Sequence, residues 1–184
     1  MKKLVLALLV GMLMIGVIAS PGLAQEKKRT WQVGGIYYNP TNSHWSDIGA
    51  IYGLDAGLIF WIKPNIGIGP ELQYLRQSGS VGYYDYTTSI VPIFCDVIYN
   101  FKPGEKFQPY AGGGLGFYSV SWTVDYSYLG YSYSDSSSDS GLALQLLGGV
   151  KYGYFFAEGH YMSVSNSEWD DNLDGIEIVV GAKF

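Results

Sequence analysis

Cys95 is the only cysteine in this 184-residue chain, so no internal disulfide can form and no thiolate cluster can hold zinc or iron. Charge is scarce too: 15% of residues are Asp, Glu, Lys or Arg, with a net −5 at neutral pH. That acidic balance excludes nucleic acid as a natural partner, because a phosphate backbone is gripped by clustered Lys and Arg. Histidine occurs twice, at His44 and His160, and neither an HExxH nor a GxSxG sequence is present. No cofactor and no metal centre is expected.

One long apolar run exists, and it lies at the start. Lys2 and Lys3 precede residues Leu4 to Ile18, followed by Pro21, Gly22, Leu23 and Ala24. A run of about fifteen residues is short for a spanning helix, and small residues at Gly22 and Ala24 suit a signal peptidase, so residues 1–24 read as a signal peptide and 25–184 as one domain. Removing Lys2 and Lys3 leaves 9 basic against 16 acidic residues, about −7 on the mature chain. No second apolar stretch is long enough for a transmembrane helix, so a membrane span must be a β-barrel.

After Gln25 the chain carries almost no helical period. Segments of about ten residues instead alternate apolar with small or polar positions, the mark of strands. About eight are read: 31–38, 51–61, 66–76, 88–101, 109–120, 142–152, 155–164 and a last one running to Phe184. In the last, Ile176, Ile178, Val180, Ala182 and Phe184 share one face and Gly175, Glu177, Gly181 and Lys183 the other, with Val179 as an exception. In the second, Tyr52, Leu54, Ala56, Leu58 and Phe60 oppose Gly53, Asp55 and Gly57; in the sixth, Leu142, Leu144 and Leu146 oppose Ala143, Gln145 and Lys151, with Leu147 blurring the pattern. Pro70 and Pro92 fall inside strands, where local bulges are expected to absorb the missing amide.

Connections alternate in length. Short ones fall at 63–65, 102–106 and near Gly153; long polar ones at 39–50, 77–87, 121–141 and 165–173. With the N-terminus in the periplasm, every short turn lies there and every long loop outside, as an even-stranded outer-membrane barrel requires. The fold expected is therefore all-β: an antiparallel up-and-down transmembrane barrel of about eight strands.

Alternation alone does not separate a membrane barrel, apolar outside, from a soluble lipocalin-like carrier, apolar inside. Low charge favours the membrane, since soluble surfaces are about 25–35% charged. Aromatic residues also fall near strand ends: Trp31, Trp61, Tyr99, Phe101, Phe107, Tyr110, Tyr154 and Phe184 at one level, and Tyr37, Tyr52, Tyr74, Tyr118 and Trp122 at the other. Two girdles at the headgroup levels account for that banding.

Apolar residues at every second position before a terminal Phe184 (Ile176, Ile178, Val180, Ala182) resemble the C-terminal signal read by the outer-membrane assembly machinery. Together with segments 35–41, 110–116 and 175–181, they make residues 30–184 resemble the outer-membrane β-barrel domain family, often labelled porin-like. The resemblance implies a bacterial outer-membrane location, with outer-membrane lipid and lipopolysaccharide as surroundings and the assembly machinery as a partner during biogenesis.

An eight-stranded barrel is just wide enough to be filled by its own side chains. Asp55, Glu71, Gln73, Asp96, Gln145, Lys151, Glu158, His160, Glu177 and Lys183 are therefore assigned to a lumenal polar network. Gly112, Gly113, Gly114 and Gly116 have no following helix to make a phosphate site and read as small wall residues. Cys95 shares the apolar face of Val91, Ile93 and Val97 and reads as an inert, lipid-facing thiol.

The third loop, with Tyr126, Tyr128, Tyr131 and Tyr133 among Ser and Asp, carries the residue mixture of binding loops and could take an extracellular ligand; a plain solvated loop is the alternative. A second class of function is a lipid A-modifying hydrolase or acyltransferase. Tyr161, Ser165, Asn166, Asn172 and Gly175 are similar in part to the lipid A 3-O-deacylase family, in which a histidine two residues before the serine serves as base. Ser163 stands there instead, and His160 falls on the opposite face from Ser165. His44 with Ser46 and Asp47 is the other acid–base candidate. The leading expectation is a non-enzymatic outer-membrane barrel with a structural or surface-interaction role.

Overall fold

Regular alternation over segments of nine residues or more gives a sheet two unlike faces, and here the sheet encloses one of them by curling onto itself. The computed structural model describes residues 29–41, 50–128, 131–165 and 173–184. The segment read as a signal peptide lies outside those residues, as do His44, Ser46, Asp47, Asn166 and Asn172. Eight strands follow in order: β1 (Arg29–Pro40), β2 (Ile51–Lys63), β3 (Ile66–Val81), β4 (Tyr84–Asn100), β5 (Phe107–Tyr128), β6 (Tyr131–Tyr152), β7 (Phe155–Ser165) and β8 (Gly175–Lys183). Each pairs antiparallel with its sequence neighbour, and β1 pairs with β8, giving a closed barrel. Beyond the end of β8, Trp31 N donates to Phe184 O at 2.6 Å and Phe184 N to Trp31 O at 2.9 Å, so Phe184 extends the seam by one more pair.

Side-chain orientation decides between the two barrel classes. Along β8, Ile176, Ile178 and Val180 are exposed while Glu177 and Val179 are buried; along β6, Leu142, Leu144 and Leu146 are exposed while Ala143, Gln145 and Leu147 are buried. The apolar face is outward, which suits lipid and contradicts a soluble carrier. Val179 and Leu147, the two irregular positions, keep strand parity and face inward. Leu147 packs with Ile59, Ile98 and Tyr110, and Val179 joins the larger inner cluster of Ile36, Phe94, Phe156 and Met162.

The aromatic bands need correction. Trp31, Tyr99, Phe101, Phe107, Tyr154 and Phe184 at the short-turn end, and Tyr37, Tyr52 and Tyr74 at the other, do lie exposed. Tyr110 and Tyr118 are instead buried within the barrel, Trp61 is packed against the inner cluster, its Nε1 donating to Thr30 Oγ1 at 2.9 Å, and Trp122 shares the inward parity of Tyr118 and Val120. Sequence position put these rings at the right height, but strand parity turns them inside.

Two of the four long connections are not loops. β3 and β4 continue to a tight turn at Gly82, whose φ of 65° suits glycine, and β5 and β6 each run for 22 residues, with only 129–130 between them. The segments read as loops at 77–87 and 121–141 are strand ladders: Ser80 pairs with Asp85, Asp85 with Asp125, and Asp125 with Ser134. β3 to β6 thus extend past the ends of their flanking strands as a four-stranded sheet projecting from one half of the barrel. Ser- and Asp-rich composition argues against strand, but the ladder on both sides overrides it.

The prolines also differ from expectation. Near Pro70 the β2–β3 ladder omits Leu58 and Ile59, then resumes unshifted at Phe60 and Ile68; near Pro92 the β3–β4 ladder omits Gln73 and Tyr74, then resumes unshifted. A missing amide is thus absorbed by skipped rungs rather than by a bulge. The register shift in this region falls instead at Trp61/Lys63, beside the short turn.

At the skipped rungs the strands approach closely: a Cβ on Gly69 would strike the Leu58 carbonyl oxygen, whereas one on Gly35 would meet nothing within 4 Å. Gly69→Val is expected to destabilise the barrel by about 1–3 kcal/mol, as overpacking does. Gly35→Val is expected to change stability by less than about 0.5 kcal/mol. Urea midpoints of the protein refolded into lipid vesicles, followed by heat-modifiable gel mobility, measure both.

Candidate functional site

Inward-facing polar residues from six of the strands meet in the barrel's middle. Asp55, Glu71, Gln73, Asp96, Gln145, Glu158, His160, Glu177 and Lys183 are all buried. Lys151, assigned to the same set, is half-exposed near the short-turn end of β6 and stands apart from the bonds described below. Gln32, not selected from the sequence, completes the group from β1. It shares the parity of the inner wall with Ile36 and Tyr38.

Two hubs organise these groups. Glu71 is the first: Gln32 Nε2 donates to Asp55 Oδ2 at 2.7 Å and to Glu71 Oε2 at 3.4 Å. Gln73 Nε2 donates to Glu71 Oε1 at 2.7 Å and to Glu177 Oε2 at 3.1 Å, and Gln145 Nε2 to Glu71 Oε1 at 3.3 Å and Asp96 Oδ1 at 3.1 Å. Each glutamine amide thus bridges two carboxyl groups that would otherwise face each other unshielded.

Glu158 is the second hub. It accepts from Tyr110 Oη at 2.5 Å, from His160 Nε2 at 3.0 Å and from Lys183 Nζ, which also reaches Tyr110 Oη at 3.0 Å. The Lys183 ammonium lies 4.1 Å from the Tyr110 ring centroid and 4.6 Å from that of Phe156, so its hydrocarbon surroundings still attract its charge. His160 joins the hubs, with Nδ1 3.4 Å from Glu177 Oε2 and 3.9 Å from Glu71 Oε1.

Five buried carboxyl groups share this space with two bases, His160 and Lys183. Removing one partner from such a network leaves a buried charge unpaired. As chemistry, the arrangement offers neutralisation and rigidity. The partners of His160 are carboxylates, and strand parity places Ser163 on the opposite side of β7 from it. Among the described residues no group of three or more His, Cys, Asp or Glu is placed to hold a metal.

The projecting sheet has two unlike faces. Continuing the outward wall are Ser78, Ser80, Asp85, Thr87, Thr123, Asp125, Ser134 and Ser136, with Ser78 and Thr87 hydroxyls 3.2 Å apart and Ser80 Oγ donating to Asp85 at 2.5 Å. Continuing the inner wall are Tyr84, Tyr86, Trp122, Val124, Tyr126, Tyr133 and Asp135. The sequence-selected Tyr126 and Tyr133 are register partners, and the Tyr84 ring lies 4.9 Å from that of Tyr126. Tyr128 and Tyr131 pair at the hairpin tip. The participation of Tyr84, Tyr86 and Trp122 was missed, although the Tyr83-Tyr84-Asp85-Tyr86 run repeats the composition of the third connection.

A family model described as the outer membrane protein beta-barrel domain matches residues 10–184. No curated protein matches the sequence. Among solved structures, the fold is similar to Ail, the attachment invasion locus protein of Yersinia pestis, with a TM-score of 0.63 at 14% identity over 87% of this chain and 100% of Ail. A second Ail structure, in complex with the heparin analogue sucrose octasulfate, gives 0.63 at 15% identity with the same coverage. The N-terminal β-barrel domain of Pseudomonas aeruginosa OprF gives 0.50 at 14% identity over 86% of this chain and 100% of that domain. At these identities the likeness concerns the fold alone.

Lys183→Met strips Glu158 of its cationic partner and is expected to cost about 3–5 kcal/mol of stability, most of it recovered on adding Glu158→Gln. Equilibrium unfolding of the two single variants and the double variant in lipid vesicles measures this; strict additivity would show that the two groups are not coupled.

Proposed function

The chain belongs to the outer membrane protein beta-barrel domain family, and from that premise we propose that it is a non-enzymatic surface protein whose lumen is filled by its own side chains and whose work is done by its projecting sheet. It is a bacterial outer-membrane barrel. The single observation that carries the functional reading is strand length. Crossing a bilayer in a tilted strand takes about nine to eleven residues, whereas β5 and β6 have 22 each. The surplus is spent on an ordered sheet above the barrel.

In this reading residues 1–24 are removed on export, the short turns face the periplasm, and the projecting sheet faces the exterior amid lipopolysaccharide. Ile176, Ile178, Val180, Ala182 and Phe184 form the outward strip of the seam strand, where the assembly machinery would read them before closure. The filled lumen is supported by Tyr38, Leu75, Ile90, Phe94, Met162 and Val179, fully buried within an eight-stranded ring that also holds the glutamine–carboxylate network. The non-enzymatic reading is supported by His160 turning inward, on the opposite side of β7 from Ser163.

Liposomes carrying the protein are expected to swell in a small sugar no faster than lipid alone; faster swelling would contradict a filled lumen. Deleting residues 125–140 is expected to leave a heat-modifiable barrel while lowering attachment of cells to protein-coated surfaces. Undiminished attachment would overturn the surface role.

A further inference from the structure

We propose that the inner face of the projecting sheet docks a cationic, extended peptide segment of another protein, held by the rings of Tyr84, Tyr126, Tyr133 and Trp122 and by the carboxylate of Asp135. The proposal rests on reading the long-strand end as extracellular and says what that end recognises.

Three features of the sheet converge on this partner. The first is an uncovered aromatic surface: Tyr133 is 66% exposed, Tyr84 52% and Trp122 41%, on a face whose reverse side carries only Ser, Thr and Asp among its neighbours. Aromatic rings present a negative face, which attracts ammonium and most of all guanidinium groups. The second is the sign of the charge. Residues 77–88 and 121–141 contain Asp85, Asp125, Asp135 and Asp139 and no Lys, Arg or His. A sulfated polyanion such as the one bound to Ail has the wrong sign for this surface, and a purely apolar partner would leave the carboxylates unanswered. The third is spacing. Trp122, Val124 and Tyr126 recur along β5 at the same-face period of a strand, about 7 Å, which is also the period of alternate side chains in an extended peptide.

Both faces hold two aspartates: Asp135 and Asp139 inward, Asp85 and Asp125 outward. Asp139 is engaged by Tyr118 Oη at 3.3 Å and by the Ser140 amide at 2.7 Å, which leaves Asp135 as the exposed inward carboxylate. Charge alone therefore does not distinguish the faces, and the aromatic rings do. This makes the outward pair an internal control.

The full barrel, refolded into zwitterionic phosphatidylcholine nanodiscs, is titrated with a fluorescent peptide alternating arginine and serine, with a glutamate–serine peptide, and with sucrose octasulfate. Saturable binding of the arginine peptide alone is expected. Tyr84→Ser with Tyr133→Ser is expected to weaken it roughly tenfold, as the loss of two cation–π contacts implies. Tyr84→Leu with Tyr133→Leu, which keeps apolar bulk, is expected to weaken it similarly and serves if the serine variant loses heat-modifiable folding. Asp135→Asn is expected to weaken binding a few-fold, while Asp85→Asn with Asp125→Asn changes it less than about twofold.

Equal losses from the two aspartate sets, equally tight binding of either anion, or no saturable binding of the arginine peptide would each overturn the proposal. Antibody access to an epitope tag at the hairpin tip on intact cells separates the two readings. An inaccessible tip defeats the surface role itself, whereas an accessible tip without peptide binding defeats only this inference.

Discussion

Hydrocarbon offers a peptide group no hydrogen-bond partner, so a chain that crosses a bilayer in strands must pair its first strand with its last or leave a row of amides bare. That constraint governs this molecule from end to end. It requires the β1–β8 ladder and the Trp31–Phe184 clasp beyond it. It also makes two prolines within strands tolerable only if the ladder can skip rungs and resume in register, as happens around Pro70 and Pro92.

Closure then dictates the interior. Strand parity sends every second residue inward, into a space that a ring of eight strands barely leaves open. The polar middle is held by amides acting as surrogate solvent, with Gln32, Gln73 and Gln145 each spanning two carboxyl groups, and by Lys183 set between Glu158 and two aromatic rings. The apolar inward residues flank this middle, so the wall can carry Leu147 and Val179 on its inner side without breaking the alternation. Charge is also sorted along the barrel. Arg29, Lys63, Lys102, Lys106, Lys151 and Lys183 lie towards the short-turn end; Arg76 alone among the described cations lies at the other, at the base of the projecting sheet, whose own charged residues at 77–88 and 121–141 are all aspartates.

How much of this was legible varies by element. β8 and β2 could be read residue by residue, because their apolar and polar positions alternate with few breaks. The inward carboxylates follow from the same parity, whereas Gln32 does not, because β1 carries apolar and aromatic residues on both faces, Ile36 and Tyr38 inward and Trp31, Val33 and Tyr37 outward, so its alternation marks neither. Tyr110, Tyr118, Trp61 and Trp122 fall in outer girdles by height alone; the parity of the strand, not its level, decides where a ring points. Residues 121–141 read as a loop because Ser and Asp are weak strand formers. Their strand conformation comes from the ladder between β4 and β6, a tertiary cause that local composition does not express.

The orientation of the wall is the claim on which the interior network and the projecting sheet both depend. Cys95 offers a direct probe, as the only cysteine of the chain and a member of the outward face between Ile93 and Val97. A nitroxide attached to Cys95 in the protein refolded into lipid vesicles reports its surroundings through collisions with oxygen and with a water-soluble nickel chelate. Frequent collisions with oxygen and rare ones with nickel are predicted; the reverse pattern would place this face in water and contradict the account.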